Sequence, residues 1–428
     1  MLWLYRLFFL PVLLVSAPYY LWRMRRRGGY GEDFSQRLGA VPALSPKRPG
    51  VRRIWLQAVS VGEMLAIEPV LAGLAADPTV EIYLTTTTST GHRLAVERYQ
   101  SRVAGIGYFP TDAWLFSARA WRRVDPDLVI LAEGERWPEH IAQARARGVP
   151  VVCINARLSD RSYRRMKAWA PVMQPLLAGI TRLLPASELD ALRFRDIGFP
   201  ADRITTTGNI KLDVTITPLT NAEIQRLRDE LGLGQGGLIV LGSSTWPGEE
   251  AALLGVLRDL HAAGLPCRLL LVPRHAERRG ELETLLADSG WTHHFRSYGQ
   301  APSEVDVAVG DTTGELRKMT QLADVVFVGK SLAPHHEGQT PVEAAALGRP
   351  ILFGPEMSNF RLIASELVEA GAAQRVATPA ELGFALKQLL MDPAQRKKRG
   401  AAGVDWHRRN RGAVERTLQV IRDELGKR

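Results

Sequence analysis

The chain has 428 residues, 46% apolar and 23% charged, which excludes a disordered chain and leaves room for two domains with full cores. Its formal net charge of +10 favours polyanionic partners: nucleic acid, an anionic membrane face or a phosphorylated ligand. The two cysteines, Cys153 and Cys267, stand apart in apolar runs and match no metal or redox spacing, so they read as core thiols in a reducing compartment.

Residues 1–22 are apolar apart from Arg6 and a few small polar groups, and Arg23, Arg25, Arg26 and Arg27 follow at once. A full span needs roughly 20 apolar residues. Pro18 follows the small-residue site near Ala17, and the Arg cluster lies downstream of the apolar run, the wrong way round for a cleaved signal peptide. An uncleaved anchor is therefore expected, spanning the bilayer or, given Pro11 and Pro18, lying in its interface. The arginines place the remainder in the cytoplasm.

From residue 53 short β-type runs alternate with helical stretches. Strands are expected at Arg53–Ala58, Val80–Thr85, Leu128–Ala132, Pro150–Ile154 and Arg182–Pro185, with helices such as Met64–Ala76 and Pro138–Arg147 between them. The alternation lapses around 216–237 and resumes with Leu238–Leu241, Arg268–Val272, Val305–Val309, Val325–Val328 and Ile351–Phe353. Such alternation predicts parallel sheets built from βαβ units. The expected architecture is α/β: two Rossmann-like domains facing across a cleft. The divisions are an anchor with its basic flank over 1–27, a first domain over 28–215, a linker over 216–236, a second domain over 237–405 and a basic helix over 406–428.

Most of the polar motifs follow strands, where doubly wound folds bind ligands. Ser60-Val61-Gly62-Glu63 follows the first strand; its spacing is that of a capping box, and Glu63 is also placed to act as a general base. Glu133-Gly134-Glu135-Arg136-Trp137-Pro138 crowds two carboxylates, a cation and a Trp after the Leu128–Ala132 strand, or simply starts a helix there. Asp125-Pro126-Asp127 precedes that strand, the wrong end for a metal site. Asn155 to Arg161, with Arg164, Arg165 and Lys167, is either a solvated basic face or a seat for an anionic acceptor or membrane surface. Lys211 lies in Gly208–Asp213, just before the junction.

In the second half, Gly242–Glu249 has the look of a phosphate-binding turn but lacks the Gly-Lys-Ser/Thr ending of a P-loop. Arg274, in Val272-Pro273-Arg274-His275, puts a cation after a strand, and Asp311–Glu315 forms another such loop. Thr340-Pro341-Val342-Glu343 predicts a helix with Thr340 as its N-cap, Pro341 at its first position and Glu343 closing a capping box, beside a Gly-containing loop suited to an anion.

Seven segments in one order resemble the 3-deoxy-D-manno-octulosonic acid (Kdo) transferase family: Ser60–Glu63, Glu133–Pro138, Asn155–Ser159, Gly208–Asp213, Val272–His275, Gly310–Leu316 and Leu352–Pro355. The resemblance covers nearly the whole chain. It implies a GT-B fold that moves Kdo from CMP-Kdo to an anionic lipid A precursor at the inner membrane, by inversion, with no metal, no cofactor and no nucleic-acid partner. By similarity Glu63 matches the general base, and Glu133 and Lys211 the transition-state stabilisers. Pro273, Arg274, Thr313, Gly314, Glu315, Thr340, Pro341, Val342 and Glu343 match the CMP-contacting segments. Lys330 stands where the family usually has Gly, and Glu337-Gly338-Gln339-Thr340 where it shows Gly-Gly-His-Asn. The alternative is another GT-B enzyme using a UDP-sugar, such as a lipid A disaccharide synthase-like transferase.

Overall fold

The first strand run, Arg52–Gln57 (β1), sits at the centre of a six-stranded parallel sheet in a computed structural model that describes residues 2–26 and 31–427. Its partners are Val80–Thr86 (β2), Gly105–Tyr108 (β3), Leu128–Ala132 (β4), Val151–Ala156 (β5) and Arg182–Pro185 (β6), in the order β3-β2-β1-β4-β5-β6. The pleat sorts side chains by parity. Ile54, Leu56, Leu128 and Ile130 enter one core layer, while Trp55, Val129 and Leu131 enter the layer on the other face. β3, with two glycines in four residues, carries too weak an apolar run to announce itself.

The second sheet has seven parallel strands: Leu238–Thr245 (β7), Cys267–Pro273 (β8), His293–Phe295 (β9), Val307–Val309 (β10), Val325–Val328 (β11), Ile351–Phe353 (β12) and Ala373–Arg375 (β13). Their order is β13-β12-β11-β7-β8-β10-β9. β7 runs past the expected Leu241 because Gly242 and Ser243 pair with β8 on one side and β11 on the other. The edge strands β9 and β13, three residues each, are too short and polar to read from periodicity.

Both orders reverse beside the first strand of their sheet. Strand β1 lies between β2 and β4, and β7 lies between β8 and β11. Where the connections part to opposite faces of such a sheet, the carboxyl ends of the strands leave a crevice for ligand. The loops after β1 and β4, and those after β7 and β11, therefore border the two crevices.

Local differences have local causes. The helix expected over Met64–Ala76 is two, Val61–Ala66 (α2) and Glu68–Ala75 (α3), because Pro69 can stand in the first turn of α3 but not inside a continuous helix. In place of one basic helix over 406–428, a helix over Pro393–Asn410 ends and another runs Ala413–Gly426, parted at Gly412, whose φ is 85°. The chain divides into one unit of Met1–Asp213 with Arg411–Arg428 and another of Val214–Asn410. The returning helix places Leu418 and Ile421 in the first unit's core, and Asp213 accepts hydrogen bonds from the Gly412 and Val414 N–H groups at 2.9 and 2.8 Å.

Leu2–Arg26 (α1) is helical through Pro11 and Pro18, and its first 18 residues are apolar enough to cross a membrane by length and composition. Arg6 grips the buried Glu139 carboxylate through two nitrogens at 2.8 and 2.9 Å, and the Tyr5 hydroxyl donates to buried Asp112 at 2.6 Å. Arg27 and the side chains of Arg23, Arg25 and Arg26 lie outside the described residues, as does the boundary expected at 27/28. Both cysteines are buried and free.

Candidate active site

The loops after β1 and β4 bring Glu63 and Glu133 to the crevice of the first sheet. Ser60 caps α2, its Oγ accepting from the Glu63 N–H at 3.5 Å. The return bond differs from a capping box: the Glu63 carboxylate accepts from the Val59 N–H at 2.8 Å rather than from Ser60. Burial pushes the Glu63 carboxyl up to about 7; the charge on Glu133 adds to the shift, while the Val59 N–H and Lys211 oppose it. Loss of water around a carboxylate raises its proton affinity, and a carboxyl so placed at neutral pH is poised to accept a proton.

Glu133 takes φ 52°, a left-handed conformation unusual for a residue with a side chain, and its carboxylate meets Lys211 Nζ at 2.6 Å. Asn155, at the end of β5 with φ 50°, is fully buried. Its Oδ1 accepts from the Ile210 N–H at 3.2 Å and its Nδ2 lies 3.5 Å from the Glu133 carboxylate. One amide thus ties the Lys211 turn to the Glu133 loop. Holding two such residues in the left-handed region costs on the order of 1–2 kcal/mol each, a cost concentrated where a site needs fixed geometry. Glu135 adds a third carboxyl, raised to about 7 by burial and then by the charge on Glu63, with Oε2 buried and unbonded among the described residues. Arg136 turns inward instead, its guanidinium 4.9 Å from the Phe194 ring centre. Asp127, at the amino end of β4, is occupied by the Arg53 N–H and by Lys47.

A cavity of about 760 Å³ in this unit lies elsewhere. It is lined by Pro150 and Thr181 at the amino ends of β5 and β6, with Met173 and Phe199, so it is remote from the carboxylates by the length of the strands.

In the second unit the expected donor residues all follow strands. Buried Pro273 ends β8, and the Arg274 N–H donates to the Thr245 carbonyl at 3.1 Å, leaving an exposed side chain with no ion-pair partner among the described residues. Thr313 and Gly314 are exposed after β10, Gly314 with φ 88°. The neighbouring Glu315 is buried in part, which favours its proton, but the Thr312 hydroxyl and Arg296 prevail and hold its carboxyl below the ordinary range. Glu343 reaches Arg317 at 3.7 Å, joining that loop to the next.

The helix after β11 starts later than its spacing predicts. It runs Val342–Ala346 with Pro341 at the cap position, and Thr340 Oγ1 accepts from the Val342 N–H at 3.3 Å. The Thr340 hydroxyl, not a backbone N–H, donates to the Glu343 carboxylate, at 3.2 Å. Pro341 and Val342 are buried, so they can offer a ligand only backbone.

Four residues to which the sequence assigns no individual role, though it flags the segments of three and the departure at Lys330, tie these loops together: Asn155, Trp246, Glu249 and Lys330. Glu249 is almost fully buried, and its carboxylate accepts from the N–H groups of Trp246, Lys330, Ser331 and Leu332 at 2.8–3.1 Å. It ties the loop after β7 to the loop after β11. Its spacing three residues beyond Trp246 is the one trace of this in the sequence.

The family model for 3-deoxy-D-manno-octulosonic-acid transferases matches residues 32–214. The chain is 35% identical to the 3-deoxy-D-manno-octulosonic acid transferase of Bordetella pertussis, covering 95% of this chain and 96% of that one. It is 33% identical to the enzyme of the same name from Haemophilus influenzae, covering 97% and 95%. A UDP-N-acetylglucosamine 2-epimerase shares the fold, with TM-score 0.56 at 15% identity over 89% of this chain and 98% of that chain. Two doubly wound units of the GT-B type and full-length likeness to the transferases agree: the chain belongs to the 3-deoxy-D-manno-octulosonic acid (Kdo) transferase family and is a glycosyltransferase.

Proposed function

We propose that the enzyme moves Kdo from CMP-Kdo to a glucosamine hydroxyl of an anionic lipid A precursor, with inversion and without a divalent ion. The observation that carries this reading is the grouping of a base of raised proton affinity, Glu63, with the Glu133–Lys211 pair beside the crevice of the first sheet. Glu63 takes the proton of the acceptor hydroxyl as its oxygen bonds to the anomeric carbon. The bond from that carbon to the phosphate oxygen breaks, CMP leaves with the electron pair, and the configuration inverts. Lys211, held by Glu133, offsets the negative charge that develops. CMP-Kdo has a single phosphate, which Arg274 can neutralise by a charge-assisted hydrogen bond. The segments Thr313–Glu315 and Thr340–Glu343 are read as the remaining nucleotide contacts.

The helix Asp160–Ala168 supports an anionic acceptor and a membrane surface, since Arg161, Arg164 and Arg165 are exposed on it beside exposed Trp169. With α1 as anchor, the catalytic units are placed on the cytoplasmic face of the inner membrane.

Incubation with CMP-Kdo and a lipid A precursor, followed by mass measurement of the product, tests the reading. Glu63→Ala is expected to lower turnover by about 100-fold or more while CMP still binds. Appreciable transfer by that variant would refute the base assignment. Competition by UDP as strong as by CMP would favour the UDP-sugar alternative. In the wild type, kcat/KM is expected to rise with pH through about 7, as Glu63 ionises.

A further inference from the structure

Lys330 lies two residues beyond the end of β11 at the second crevice, as Glu133 lies one residue beyond the end of β4 at the first. Both residues adopt a left-handed backbone, φ 58° for Lys330 and 52° for Glu133, in a place where glycine would serve at lower cost. The Lys330 backbone leaves little freedom. Its N–H donates to buried Glu249 at 2.8 Å and its carbonyl accepts from Gly338 at 2.7 Å. The side chain is therefore presented from a fixed point.

The ammonium lies 4.2 Å from the centre of the Trp246 ring, so the residues after β7 and β11 meet directly at the reversal of strand order. Its charged partner is Glu337, at 3.3 Å on the same loop, whose backbone and Lys330 contacts hold its carboxyl below the ordinary range. A cation-π contact and one partly exposed ion pair leave an ammonium with donors to spare. On the turn that ends β7, the Thr245 hydroxyl and the Trp246 indole N–H are buried and unbonded among the described residues, and the His275 and His335 rings have their centres 5.4 and 5.7 Å from that of the same indole. Buried polar groups without partners, next to a strained cation at a ligand crevice, are the features of a site awaiting a polar ligand.

We propose that Lys330 is a specificity-determining contact of the donor site: its ammonium exchanges Glu337 for an anionic group of the bound donor. The inference rests on the proposed donor, which offers two such groups, the nucleotide phosphate and the carboxylate of the sugar acid.

The test uses the full chain with Lys330→Met, Lys330→Gly and Glu337→Gln. Lys330→Gly relieves the left-handed backbone and so guards against a variant that fails to fold. The dissociation constant of CMP is measured beside KM for CMP-Kdo. One lost charge-assisted contact is expected to weaken binding roughly tenfold to hundredfold. A rise in KM with CMP binding unchanged assigns the carboxylate, and weakening of both assigns the phosphate. Glu337→Gln, which removes the competing anion, is expected to tighten the same constant several-fold. Wild-type values for both constants in both Lys330 variants would overturn the proposal. Wild-type protein that binds CMP but transfers no Kdo would count against the functional reading instead, with the CMP constant still reporting on Lys330.

Discussion

At the scale of single residues, carboxylates do unlike work according to what surrounds them. Glu63 keeps one backbone N–H and little water, and burial leaves it able to take a proton near neutrality. Glu249 has the same chemistry but accepts four N–H bonds, so it is spent on structure. Glu249→Ala should leave several buried N–H groups unpaired and cost about 3 kcal/mol or more. Thermal unfolding checks this; a melting temperature within experimental error of wild type would show that the loops find other acceptors. The sequence places Glu63 and Glu249 alike, each three residues after a turn residue that follows a strand, Ser60 and Trp246. Which of them is left able to take a proton and which is a tie depends on whether N–H groups from a distant segment reach it, as those of Lys330, Ser331 and Leu332 reach Glu249.

At the scale of elements, the strand ends carry the site and the loops after them must fit closely. Gly354, following β12, is packed so that an added Cβ would sit 1.6 Å from the Ser331 carbonyl oxygen. Gly354→Ala should push the loop after β11 from its place and cost at least about 1–3 kcal/mol, with weaker CMP binding. Calorimetry on the variant reads both effects, and unchanged CMP affinity would separate β12 from the proposed donor site. Strand runs such as Leu128–Ala132 and Val325–Val328 are legible because parallel strands buried on both faces are continuously apolar. The edge strands and the split between α2 and α3 are not, since the first lack that signal and the second turns on a single proline.

At the scale of the whole molecule, the chain crosses to a second unit at Val214 and returns at Arg411 to finish the first. Ile421 is fully buried in the first unit's core, so Ile421→Ala should destabilise that unit by about 2–5 kcal/mol, seen as a lowered unfolding midpoint. Proton linkage acts on the same unit. Burial raises Glu63, Asp112 and Glu135 each to about 7. In the unfolded chain such groups ionise near pH 4. Between about pH 4 and 7 the folded state then binds more protons than the unfolded, so this contribution to stability is present below the window and lost as pH rises through it. Unfolding midpoints measured from pH 5 to 8 should fall, and Glu63→Gln should flatten part of the fall; a flat profile in the wild type would contradict the burial of these groups. Periodicity and turn chemistry by themselves determine the parallel α/β class, the apolar first helix and the motifs that follow the strands, because these are set by neighbours within a few residues. Strand order, the return of the last helix and the meeting of Lys330 with Trp246 are decided only in three dimensions, because each depends on which distant segments pack side by side.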